Sequence, residues 1–210
     1  MQPENTITWQ HAPADVFWGE IAPAEHLLQI YENDEAFINT LAGFVMHGIE
    51  TGDNMVVIAT EEHLAALENA LQVRGLDVAW ILAGNRYFPL NAEKILDKFM
   101  VNGWPDELLF MNTVGEIIRS ARTNNRKVRA FGEMVALLWS QGLNGATVQL
   151  ENLWSKVIAG QLHSLFCAYP RIGFTQGLSE SLQDICCAHT RLIEGSSAST
   201  EIAFRSPDAP

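Results

Sequence analysis

The chain has 210 residues, 48% of them apolar, with a formal charge of −12 and a pI near 4.8. That is enough apolar material for one domain with a full core. The acidity repels phosphate backbones over most of the surface, which argues against a nucleic-acid binder.

The first twenty residues have neither the charged nor the apolar region of a signal peptide. They carry Trp9, Phe17 and Trp18, and are expected to pack as an arm on the domain or on a neighbouring subunit. No apolar run approaches the roughly 18 residues of a membrane span, so the expectation is a cytoplasmic protein without membrane contact. The three cysteines, Cys167, Cys186 and Cys187, form no disulfide framework, and no Cys/His spacing suits zinc. No metal and no cofactor are expected.

In chain order, "HLLQIY" (His26 to Tyr31) is a short apolar strand, and Asn33 or Asp34 caps a helix with Phe37, Leu41, Phe44, Val45 and Gly48 on one face. "NMVVIAT" (Asn54 to Thr60) is a buried strand. Thr60 caps the next helix, whose inner face carries Leu64, Leu67 and Leu71 and which stops at Gly75. Arg86 to Leu90 is a short strand, and Asn91 caps a helix ending near Gly103. Pro105 opens a long helix with Leu108, Val114, Ile118 and Ala121 buried. Arg119, Arg122, Arg126, Lys127 and Arg129 mark the end of that helix and a loop.

"KVRAFGEMVALLWSQG" follows, a strand (Val128 to Phe131) running into a helix (Val135 to Gln141) with Glu133 at the joint. "GATVQLENLWSKVIAG" is an amphipathic helix with Val148, Leu150, Leu153, Trp154 and Val157 inward. "HSLFCAYP" is the final strand, and Leu178 to Leu192 the last helix. Residues 21–194 thus form the domain, and the small polar stretch 195–210 reads as a disordered tail. Strands alternating with helices predict an α/β fold, a mostly parallel sheet with helices on both faces.

Ligands of such sheets collect at the carboxyl ends of the strands. The first joint, "IYENDEAF", lacks the glycines and lysine of a phosphate loop, and its acids repel a triphosphate. Glu133 ends a strand at the same edge. It can bind a polar ligand, hold a cation or act as a base; structurally, it can cap the next helix or pair with Arg129. Glu151 is a second acid near bulky apolar residues, or a solvated helix position. His26 and His163 stand at strand starts, and His11, His47, His63 and His189 show only ordinary helical placement. Neither a GxSxG elbow nor HExxH occurs. Trp139 and Trp154 follow the Glu133 joint, while Trp80 and Trp104 lie at loop edges. A pocket lined by such rings suits a small organic molecule.

"VRAFGEMVALLW…G", "LENLW" and "LFCAYP", in this order, resemble the MEDS domain, the methanogen/methylotroph sensory domain. The resemblance runs from about His26 to His189 and includes "HLLQIYENDEAF", "GIETGDNMVVIAT", "RGLDV" and "NGWPDELLF". It implies a RecA/KaiC-like three-layer sandwich that has lost its phosphate loop, and a sensor rather than an enzyme. It implies a small organic ligand and a signalling partner such as a histidine kinase or an anti-sigma factor, and it adds weight to Arg129, Glu133, Glu151 and Trp154. With no kinase or helix-turn-helix module in the chain, output is expected through a partner or through self-association as a homo-oligomer.

The leading expectation is a non-catalytic sensory domain with a ligand near Tyr31, Thr60, Glu133 and Tyr169, and with Arg129, Glu151 and Trp154 as further candidates. The alternative is a ligand-free pseudo-ATPase that acts only through protein contacts. A third reading, an enzyme with Glu133 as base or metal ligand, lacks a second catalytic player in the sequence.

Overall fold

The β-branched and apolar runs separated by capped amphipathic helices fold as the alternation predicts. The computed structural model describes residues 9–13, 22, 24–161, 164–171, 185–196 and 199–205. In chain order the elements are β1 (Trp9–Pro13), β2 (Glu25–Tyr31), α1 (Asp34–Glu50), β3 (Asn54–Ala59), α2 (Glu61–Val73), α3 (Val78–Ala83), β4 (Tyr87–Asn91) and α4 (Ala92–Leu96). There follow β5 (Met100–Val101), β6 (Trp104–Pro105), α5 (Glu107–Ala121), β7 (Val128–Gly132), α6 (Met134–Ser140), α7 (Asn144–Gln161), β8 (Ser164–Pro170), β9 (Arg191–Ser196) and β10 (Ser199–Arg205).

Six strands run parallel in the order β9-β2-β8-β7-β3-β4, and β10 and β1 extend the β9 edge antiparallel. The chain steps outward from β2 to β3 to β4 and then back through β7 and β8 to β9. Right-handed crossovers therefore lay α1, α2 and α3 on one face and α4 to α7 on the other. Two apolar cores result, one built on Phe37, Phe44, Val57 and Phe166, the other on Val56, Phe110, Trp154 and Leu165. At the end of β7, a Cβ on Gly132 would lie 3.0 Å from the Trp154 ring, so the missing side chain lets the indole lie against the strand.

Several expectations need correction. The helix from Asn91 to Gly103 ends at Leu96, because Asn102 and Gly103, both at positive φ, close the β5–β6 hairpin. Pro105 does not open α5 but ends β6; Asp106 caps the helix, accepting from the Leu109 N–H at 2.8 Å. Helical spacing puts Phe110, Val114, Ile118 and Ala121 on one buried stripe, and Leu108, expected inside, is 69% exposed. The "HSLFCAYP" strand, β8, is not the last: Arg191 and Leu192, expected in a helix, open β9. The stretch 172–184 lies outside the described residues. In the segment read as a tail, 199–205 run as β10; 206–210, like Phe17 and Trp18, lie outside the described residues.

A sheet buried on both faces must pair its polar side chains internally. Arg129, at the amino-terminal half of β7, donates from Nε to Asp53 Oδ2 at 2.7 Å and from Nη2 to Thr51 Oγ1 at 3.2 Å, both acceptors lying in the turn before β3. Removing one partner of a buried pair strands the other charge. Asp53→Ala is expected to cost about 3–5 kcal/mol in urea unfolding, with Asp53→Ala/Arg129→Met recovering part of the loss; an Asp53→Ala chain as stable as wild type would show the pair to be idle.

Candidate functional site

Two neighbouring strands whose outgoing helices lie on opposite faces leave a crevice at their carboxyl ends. β3 leads into α2 on one face and β7 into α6 on the other, and Glu133 follows β7 at that crevice. Its side chain makes no cap bond to α6. It reaches across to the next strand instead, where Oε2 accepts the Thr60 N–H at 2.8 Å and Oε1 lies 2.7 Å from His63 Nδ1. Thr60 caps α2 through its hydroxyl, which accepts from the His63 N–H at 3.3 Å, and so brings His63 to the carboxylate. The other nitrogen of His63, Nε2, faces Asp34 Oδ1 at 3.9 Å. Its hydrogen bond to Glu133 holds the imidazole pKa above the usual 6.5, against the opposing pull of burial.

The ring wall of this edge comes from β2 and α1. Tyr31 stacks on Phe37 with ring centroids 4.8 Å apart, and Phe37 meets the His63 ring edge-on at 5.0 Å. Burial, then the Glu133 and Asp34 charges, push the Tyr31 phenol pKa up. The α1 amino terminus, where a phosphate would bind, is occupied by its own chain: Asn33 Oδ1 accepts the Ala36 N–H at 2.9 Å, and Asp34 and Glu35 fill the first turn.

The structure thus groups Tyr31, Thr60 and Glu133, and adds His63, which sequence reading passed over. The Thr60-x-x-His63 spacing, three residues after a capping threonine, was the available signal. Arg129 lies toward the opposite end of β7, paired with Asp53 and not with Glu133. Trp154 is a core residue, edge-on to Phe110 at 5.5 Å.

Glu151 and Tyr169 belong to a second cluster, buried between α7 and the sheet. Alternation along β8 turns Cys167 and Tyr169 toward α7, and His26 of β2, in register with Leu165, reaches Cys167 diagonally. Glu151 Oε1 accepts the Tyr169 hydroxyl, while Oε2 lies 3.9 Å from Cys167 Sγ and 3.5 Å from His26 Nε2. His26 Nε2 is 3.3 Å from Cys167 Sγ, and His189, just before β9, places Nε2 3.7 Å from Glu151 Oε1. Burial pushes the Glu151 pKa up to about 8, against the Tyr169 and Cys167 hydrogen bonds, and pushes His189 down to about 4. Burial and then His189 hold His26 well below 6.5.

A profile of the MEDS family, the methanogen/methylotroph DcmR sensory domain, matches residues 25–190. No curated protein sequence matches the chain. Among solved structures, PH0250 from Pyrococcus horikoshii OT3 superposes with a TM-score of 0.57 at 14% identity, covering 90% of both chains. A KaiC-like protein of the same archaeon, PH0186, gives 0.58 at 11% identity over 89% of this chain and 82% of that one. PH0321, also from this archaeon and solved with an unknown peptide, gives 0.64 at 10% identity over 91% and 87%. These likenesses establish the KaiC-like α/β fold. The chain belongs to the MEDS family.

The His63–Glu133 contact carries a pH signature. A folded-state pKa raised above 6.5 adds stability that is full below 6.5 and is lost as pH rises through the raised value. The difference in Tm between wild type and His63→Gln is therefore expected to shrink as pH rises, and NMR titration of His63 should place its pKa above 6.5; a pH-independent difference would contradict the pairing.

Proposed function

We propose that this member of the MEDS family is a cytoplasmic, non-catalytic sensor that binds a small organic molecule at the β3–β7 crevice and passes the event to a signalling partner. The observation that carries the reading is Glu133, a carboxylate at the carboxyl edge of a parallel sheet, held by Thr60 and His63 beside the Tyr31–Phe37 stack. Oriented polar groups beside aromatic faces suit a weakly polar ligand. The self-capped α1 amino terminus argues against a nucleotide.

The same geometry weighs against catalysis. A general base needs a free lone pair, whereas His63 sits between two carboxylates, Glu133 and Asp34, as a cation would. Thr60 Oγ1 is engaged in the cap. For the crevice to signal, ligand must favour one arrangement of α2 and β7 over another.

A second reading, a module acting through protein contacts without a ligand, is favoured by Trp104 at 53% exposure and Leu108 at 69%, on the hairpin and the first turn of α5. It predicts that Trp104→Ala and Leu108→Ala abolish binding to a histidine kinase or anti-sigma partner, or self-association, while Glu133→Gln does not.

A thermal-shift screen with small alcohols, amines and halogenated or methylated organics tests the leading reading. A ligand at 100 times its Kd stabilises by about 2.7 kcal/mol, and Glu133→Gln is expected to remove the shift without unfolding the chain. Magnesium-ATP is expected to give neither shift nor hydrolysis. Stabilisation by magnesium-ATP, or by none of the organics at high excess, would overturn it.

A further inference from the structure

The buried cluster on the α7 face turns two imidazole nitrogens onto a thiol and a carboxyl group. His26 Nδ1 lies 3.0 Å from the Ala188 carbonyl and His189 Nδ1 lies 2.6 Å from the Ile185 carbonyl. A carbonyl only accepts, so each Nδ1 carries its hydrogen and each neutral ring turns a bare Nε2 lone pair inward. Cys167 Sγ and the Glu151 carboxylate meet these two lone pairs. His189 Nε2 is fully buried and has no hydrogen-bond partner among the described residues. A buried imidazole lone pair left without a donor is costly in a core.

A cation resolves the arrangement. We propose that His26, Glu151, Cys167 and His189 bind one divalent transition-metal ion of the zinc class, as a closed four-ligand structural site. The four ligand atoms lie within 4.8 Å of one another. Zinc bonds of about 2.0 Å to nitrogen or oxygen and about 2.3 Å to sulfur put tetrahedral ligand atoms roughly 3.3–3.8 Å apart. His26 Nε2, Cys167 Sγ and Glu151 Oε2 lie 3.3, 3.5 and 3.9 Å from one another, and His189 Nε2 lies 3.7 Å from the other Glu151 oxygen.

The donor set fixes the metal class. Two imidazoles and a thiolate suit zinc or its neighbours, whereas calcium and magnesium need a shell of oxygens. A thiolate and a carboxylate together cancel a divalent charge, so the loaded core is neutral. The outer shell is present as well: backbone carbonyls orient both histidines, and the Tyr169 hydroxyl orients Glu151. Four protein ligands leave no open position, which makes this a staple and not a Lewis-acid centre. It ties β2, β8 and α7 to the segment that opens β9. The ligands come from four places along the chain, which is why no sequence spacing reveals them.

Metal analysis of the full chain, purified without chelator, is expected to give one zinc per chain. Cobalt(II) exchanged into the site should show the strong visible bands of four-coordinate cobalt and a thiolate-to-cobalt charge-transfer band that Cys167→Ser abolishes. Tyr169→Phe keeps the ring but drops the hydrogen bond to Glu151, and should weaken zinc binding about 10–100-fold with unchanged circular dichroism. If Cys167→Ser does not fold, X-ray absorption on the zinc-loaded wild type should show one sulfur among four scatterers. A folded wild-type chain that takes up neither zinc nor cobalt, or binds them without sulfur, overturns the proposal.

Discussion

Six parallel strands covered on both faces give their polar side chains no access to water, and this constraint organises the molecule. Several polar groups that the sheet admits are answered from a neighbouring element. Gln29 on β2 donates to Thr40 on α1, Asn54 on β3 to the last carbonyl of α5, and Arg129 to Asp53. Groups that look isolated along the chain become pairs once the strands are laid side by side. A buried pair broken on one side costs far more than an exposed one, so these contacts fix the register of helices against the sheet as well as its stability.

The likeness to KaiC-type folds and the missing phosphate grip have one physical explanation. In a nucleotide-binding sheet the first strand delivers free backbone N–H groups at a helix amino terminus. Here the first parallel strand, β2, delivers Glu32, Asn33 and Asp34, and Asn33 takes up the helix end itself. The fold is shared, and the first turn of α1 carries Asp34 and Glu35 at that corner. The neighbouring crevice, between β3 and β7, carries the carboxylate, the imidazole and the aromatic wall.

The parallel architecture was legible because it rests on local signals. Apolar runs bounded by turn residues became β2, β3 and β8, and the caps at Asn33, Thr60 and Asn91 form as read. The hairpin after α4 was missed because Asn102–Gly103 was read as a helix end, although that dipeptide favours a tight turn. Leu108 falls outside because it lies two residues, about 200°, from Phe110, which heads the Val114–Ile118–Ala121 stripe. The partners of each acid were not legible at all. Glu133 meets His63 across 70 positions and Glu151 meets Tyr169 across 18, distances set by crossover topology and not by periodicity. His26 and His189, 163 positions apart, looked unrelated for the same reason, yet their rings lie 3.9 Å apart.

The bond between Glu133 and the start of α2 has a mechanical corollary. The two oxygens of one carboxylate grip two points on the same helix turn, the Thr60 amide and the His63 ring, while their own backbone is continuous with β7 and α6. Tilting α2 therefore drags on the opposite layer through a rigid, two-pronged clevis instead of through soft side-chain packing. Losing one prong would loosen this link and leave α2 joined to the β7–α6 corner by the other oxygen and by the shared sheet.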